Sequence, residues 1–255
     1  MERILNYLIV AGTALLSVRL YGSGLSQKYR AFFSYLIFYT LQTAFMMHLD
    51  NGPHAKVYAW TYIVTEPISW VLFALVVLEL YSLVLADYQG LYTVGRWALM
   101  LAVAMALLAS ALSLLAPSRD PWHVSRLLPY YYEAQRAVYF SLVVFLFTIL
   151  FVLLQYPITL KRNIVVHSVV FSVYFLCNTV FYLVVSIRGW GVIHVFKYAL
   201  LGATLGSLGT WLALLSPAGE IRKVRLRPAW MPGKEEQLVS QLNSLNAALL
   251  RATRK

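Results

Sequence analysis

The sequence predicts an all-α membrane protein: a seven-transmembrane helix bundle, N-terminus outside and C-terminus cytoplasmic, closed by a short C-terminal amphipathic helix. Three observations carry this prediction. Of 255 residues, 60% are hydrophobic and only 12% charged, about half the charged share of an ordinary soluble domain. Seven apolar stretches, separated by turn-forming residues, approach the roughly 20 residues that a helix needs to cross a bilayer core. The Lys and Arg residues behind the net charge of +11 sit between those stretches and in the tail. That distribution suits anionic headgroups and argues against nucleic acid, which calls for a basic face.

Segment one covers 4–20. It is short and N-terminal like a signal peptide, but Arg19 and Tyr21 stand where a small-residue cleavage site belongs, so it is expected to be retained. Tyr21-Gly22-Ser23-Gly24 breaks the chain before segment two, 31–49, and Asp50-Asn51-Gly52-Pro53 before segment three, 57–86. Segment three exceeds one span, which implies tilt, a kink at Pro67 or a projecting inner end. Segments four to seven follow at 97–116, 137–155, 164–187 and 192–215. Only the connection before residue 137 is long, and its stretch 122–135 mixes aromatic and basic residues as an interfacial segment does. The chain thus divides into a bundle at 1–216, a basic Pro-containing linker at 217–233 and a cytoplasmic helix at 234–255.

Orientation follows from the cation bias. With the tail inside, the inner side carries ten cations: Arg19, Lys28, Arg30, Arg96, Lys161, Arg162, Arg222, Lys223, Arg225 and Arg227. The outer side carries seven: Arg3, Lys56, Arg119, Arg126, Arg136, Arg188 and Lys197. A multi-pass protein of the bacterial inner membrane is the expected setting.

Gly202, Gly206 and Gly209 recur at helical spacing in segment seven, as do Ala102, Ala106, Ala109 and Ser113 in segment four. Small residues so spaced let backbones approach, so both faces are expected to pack closely. In the tail, Leu238, Leu242, Leu245 and Leu249 form one stripe. It fits the membrane surface, a cytoplasmic protein partner or self-association.

Ionisable groups inside spans are costly, which makes them the first places to look for function. Glu66 lies about 13 Å below the outer end of segment three at 1.5 Å per residue, directly before Pro67 and on one stripe with Tyr58, Tyr62 and Ser69. Gln42 in segment two, Tyr174 and Asn178 in segment six, and His194 and Lys197 in segment seven reach similar levels, and Arg136 with Glu133 could close the mouth. The cluster reads as an outward-facing pocket in which Glu66 and Lys197 pair or receive a polar ligand. The alternative is a polar network that only holds the helices together. Glu79 and His167 form a second, inner level, either as a pH-sensitive pair or as separately satisfied groups.

Other chemistries fall short. The Trp60, Thr65, Glu66 and Pro67 pattern superficially resembles the third helix of microbial rhodopsins, but Lys197 is too near its helix end for their retinal linkage. The five histidines lack the zinc-ligand spacing of seven-helix membrane hydrolases. The sequence shows no cofactor motif, no metal site and no catalytic constellation, so an enzyme is not expected. Tyr58-Ala59-Trp60, Glu66 with Ser69, Glu79-Leu80-Tyr81, the basic tail and the Leu-rich terminal helix together resemble an uncharacterised group of small bacterial seven-helix membrane proteins. That resemblance implies the fold and no activity. Three functional readings stay open: a receptor-like sensor coupling the Glu66 pocket to the tail, a small-molecule transporter or channel using the same cluster, and a structural protein with no ligand.

Overall fold

The chain is seen in a computed structural model that describes residues 2–49, 55–85, 127–155, 159–188, 193–225 and 232–253, with short pieces between 90 and 104. Its order is α1 (Glu2–Gly22), a 3-10 turn (Leu25–Gln27), α2 (Arg30–Leu49), α3 (Ala55–Val84), α4 (Leu127–Gln155), β1 (Thr159–Lys161), α5 (Arg162–Arg188), α6 (Ile193–Leu214), α7 (Ala218–Ile221), β2 (Lys223–Arg225) and α8 (Pro232–Thr253). Among the described residues the protein is helical apart from one two-stranded ribbon. Segment four falls mostly outside the described residues; the pieces seen between 90 and 104 are helical.

The long helices form a ring in which α1 packs on α2 and α6, α2 on α3, α3 on α4 and α5, and α5 on both α4 and α6. Successive helices run antiparallel except α3 and α4, which run in the same direction, Glu66 meeting Gln135 and, further along both, Tyr81 meeting Phe145. After α1, Gly24 takes a φ of 71°, a left-handed turn that a side chain would resist, and the chain reverses into α2. At α3, 30 residues stay helical through Pro67, a length of about 45 Å at 1.5 Å per residue.

Among the described residues, three helices are long and apolar enough to cross a membrane: Arg3–Gly22, Trp60–Val84 and Arg162–Val185. Their outward faces are apolar as well. On α3, Trp60, Val64, Ile68, Val71 and Leu75 are exposed, and on α5, Val169, Val173, Leu176, Val180, Leu183 and Ile187. Steps of three and four residues place each set on one helical stripe. Water would penalise such continuous apolar faces, whereas lipid accommodates them. The same pattern continues on α2 at Ile37, Leu41 and Phe45, and on α4 at Phe140, Val144 and Phe147.

Part of the stretch 122–135 is helical, since α4 begins at Leu127. Pro129 stands in its first turn, where a missing N–H costs nothing, so it does not block the helix. The glycine stripe faces away from the described helices: Gly202, Gly206 and Gly209 are exposed, and a Cβ built on any of them meets no described atom within 4 Å, while most of segment four lies outside the described residues. The contacts of α6 with α1 and α5 are instead made by other faces, with Leu208 and Trp211 buried.

The predicted linker is structured at its start. Helix α7 and strand β2 follow α6, and β2 pairs antiparallel with β1 in the register Thr159↔Arg225, Leu160↔Val224 and Lys161↔Lys223. Leu160 is buried beneath the ribbon. Glu220, on α7, ties this end of the bundle together. Its carboxylate takes hydrogen bonds from Lys28, from the Tyr29 hydroxyl at 2.5 Å and from Asn163 Nδ2 at 2.9 Å, with Lys161 Nζ at 3.6 Å. Arg19 donates to the backbone carbonyls of Leu212 and Leu215 at the end of α6. Those carbonyls have no partner within the helix, so the guanidinium closes its C-terminus.

Candidate functional site

At the end of the bundle opposite the ribbon lies a cavity of about 800 Å³. Helical spacing explains its wall on α3, where Tyr58, Tyr62, Glu66 and Ser69 follow one another at one turn and all line it. Helix α2 adds Tyr39, Gln42 and Thr43; α4 adds Gln135 and Tyr139; α5 adds Tyr174, Asn178 and Tyr182; α6 adds Lys197, Tyr198 and Thr204; and α1 adds Arg3, Asn6 and Tyr7. Five of the long helices thus surround the carboxylate on α3.

Glu66 is clamped by two neutral amides. Gln135 Nε2 donates to Oε1 at 2.7 Å and Gln42 Nε2 donates to Oε2 at 3.3 Å. Each amide is oriented in turn: Ser69 Oγ donates to Gln42 Oε1 at 3.1 Å, and the Tyr62 hydroxyl to Gln135 Oε1 at 3.3 Å. Gln42 Nε2 also reaches Thr65 Oγ1 at 2.8 Å. Holding both amide carbonyls in this way leaves their N–H groups facing the carboxylate. Asn178 donates to the Tyr174 carbonyl at 2.8 Å, one turn earlier in its own helix.

Of the residues singled out from sequence, Glu66, Gln42, Tyr62, Tyr174, Asn178 and Lys197 meet in this cavity. Arg136 is half-buried and does not line it. The His194 side chain lies outside the described residues. Gln135 was the residue missed: it is 1% exposed and holds Glu66 more closely than any other group described. The step of four from Gln135 to Tyr139, both buried, is the spacing that marks an inward face.

Beneath the cavity the core is closed by rings. Tyr35 lies 4.5 Å from Phe73, Phe73 5.1 Å from Phe175, Phe171 5.5 Å from Phe175 and 4.8 Å from Trp211, and Phe32 4.9 Å from Trp211, all between centroids. His167 belongs to this layer, 4.7 Å from the rings of Tyr29 and Phe32. Neither of its nitrogens has a hydrogen-bond partner among the described residues. It does not pair with Glu79, which instead accepts the backbone N–H groups of Ala31 at 3.0 Å and Phe32 at 3.3 Å. Glu79 thereby caps α2, satisfying donors that the first turn leaves open and complementing the helix dipole.

At the ribbon end, α8 rests on the chain itself. Gly90 donates its N–H to Asn246 Oδ1 at 2.8 Å. Leu242 is 1% exposed, Leu245 is 44% exposed, and Leu249 Cβ lies 3.1 Å from where a Cβ on Gly90 would stand. The Leu238 side chain falls outside the described residues. The predicted stripe is thus partly consumed by intramolecular docking, with Leu245 outward.

Among the described residues no three His, Cys, Asp or Glu side chains converge as metal ligands. Among the described residues the cavity offers one carboxylate, a wall of tyrosines and two cations. No known protein family, curated protein or solved structure matches the chain.

Proposed function

We propose that this chain is a seven-span sensor of the bacterial inner membrane that takes a small polar ligand from outside and transmits its presence through the terminal helix. The apolar outer stripes of α2 and α4, added to the three span-length helices, support the full set of spans. The surplus of cations around the ribbon supports placing that end in the cytoplasm, which turns the cavity outward.

The observation that carries the reading is the cavity built on Glu66. Its connection to the tail runs along α3, which lines the cavity at Glu66 and leads at its other end to Gly90, where α8 docks. From Glu66 to Val84 this path is about 27 Å of continuous helix. The aromatic layer under the cavity, from Tyr35 and Phe73 to Phe171 and Trp211, supports a sensor over a channel.

A spin label attached through Leu245→Cys in a Cys177→Ser background, in the full chain, tests the coupling. Glu66→Gln removes the cavity's negative charge, as a bound cation would, and the sensor reading expects it to alter label mobility on α8. Identical spectra from two folded proteins would refute the coupling. The transporter reading gains instead if chain lacking 232–255 carries solute flux in proteoliposomes.

A further inference from the structure

We infer that the ribbon end binds an anionic phospholipid, its phosphate between Arg162 and Arg222 and its acyl chains against Ile221; this rests on the membrane-spanning reading above and not on the cavity.

Positive charge gathers here on adjoining backbone. The Arg162 N–H donates to the Arg222 carbonyl at 2.9 Å, continuing the ribbon by one rung. The rung beside it sets Lys161 opposite Lys223. Like charges across a ladder repel, and together they raise the local potential that draws an anion. Glu220 is the carboxylate described beside them, and it is occupied: it pairs with Lys28 and Lys161 and accepts from Tyr29 and Asn163. The Arg162 and Arg222 side chains enter no hydrogen bond or ion pair among the described residues. Two guanidinium groups carried by hydrogen-bonded neighbours suit the oxygens of a phosphate, which each can grip bidentately.

The surroundings of the pair select a lipid over a free anion. Helix α7 turns Gly219 and Glu220 toward the bundle, where a Cβ on Gly219 would strike the Asn163 side chain. Its other face, Pro217, Ala218 and Ile221, is exposed, Ile221 at 85%. Arg19 holds α1 against the end of α6, where Val18 and Leu214 are exposed as well. Apolar surface therefore continues from the outer side of the bundle to Ile221, the residue before Arg222. A phospholipid supplies both complements, acyl chain for that surface and phosphate for the guanidinium groups.

The test is native mass spectrometry of the full chain in detergent micelles, titrated with phosphatidylglycerol, phosphatidylcholine of the same acyl chains, and water-soluble glycerol phosphate. Phosphatidylglycerol is expected to bind at least about tenfold tighter than phosphatidylcholine, a ratio within reach of two arginines at one headgroup. Glycerol phosphate should bind only weakly. Arg162→Gln combined with Arg222→Gln should erase the preference between the lipids. Arg222→Gln alone, at an exposed position, should reduce it and serves if the double variant does not fold. Ile221→Ser should weaken binding of both lipids and leave their ratio unchanged. Equal binding of the two lipids by wild type, or an undiminished preference in folded Arg222→Gln, overturns the inference. Glycerol phosphate binding as tightly as phosphatidylglycerol overturns it too, marking a site for free phosphates. Each of these results leaves the spanning reading standing, which falls only if the chain stays monomeric and soluble without detergent.

Discussion

Glu220→Ala is expected to destabilise the protein by about 2–3 kcal/mol, because it strips the partner from several groups at once. Lys28, Tyr29 and Asn163 all donate to this carboxylate, and Lys161 stands at 3.6 Å. The side chain is only 15% exposed, so solvent replaces little of what is lost. Asn163 and Tyr29 are themselves buried and would be left with fewer partners.

The same contact sets a pH dependence. Burial disfavours charge on Glu220, but hydrogen bonds from Lys28, Tyr29 and Asn163 outweigh it and hold the carboxyl below its ordinary value of 4.5. A depressed acid stabilises the fold fully above the unfolded value and loses that contribution as pH falls through the folded one. The thermal stability of wild type should therefore fall below pH 4.5, and Glu220→Gln should blunt that acid loss. Parallel acid profiles would show that the cluster does not tie this end together.

Gly90→Ala is expected to detach α8. A Cβ at this position would lie 2.6 Å from the backbone carbonyl oxygen of Asn246 and 3.1 Å from Leu249 Cβ. Backbone cannot swing aside as a side chain can, so the helix must shift, at a cost of about 1–3 kcal/mol for overpacking. Leu242 would then lose its cover. Hydrogen exchange across residues 232–253 should accelerate strongly, whereas Asn246→Ala, which removes one hydrogen bond, should act more weakly. Unchanged protection in Gly90→Ala would mean that α8 is held elsewhere.

What the sequence disclosed, and what it hid, follows from the range of the forces involved. The Tyr58, Tyr62, Glu66 and Ser69 stripe was legible because helical spacing alone puts these residues on one face. Gln42, Tyr174 and Asn178 were legible because polar groups deep in apolar segments must face inward. Gln135 was hidden by its setting: Pro129 and a run of aromatic and basic residues suggested an interfacial stretch, and only the third dimension reveals that a proline in a first turn is harmless. The ribbon was invisible because three-residue strands carry no periodicity, and Thr159 meets Arg225 only after α5 and α6 have returned the chain. Glu220 was overlooked for the same reason, since its partners come from distant parts of the sequence. For Gly202, Gly206 and Gly209 the spacing was real, but spacing identifies a face without saying what stands opposite.

The central claim is a membrane-spanning bundle whose cavity opens outward while the ribbon faces the cytoplasm. Accessibility of single cysteines tests it most directly: Lys197→Cys and Arg222→Cys, each in a Cys177→Ser background, treated in intact cells with a membrane-impermeant maleimide before and after permeabilisation. The account predicts that Lys197→Cys labels in intact cells and that Arg222→Cys labels only once the membrane is breached. Labelling of both positions from the same side would contradict it.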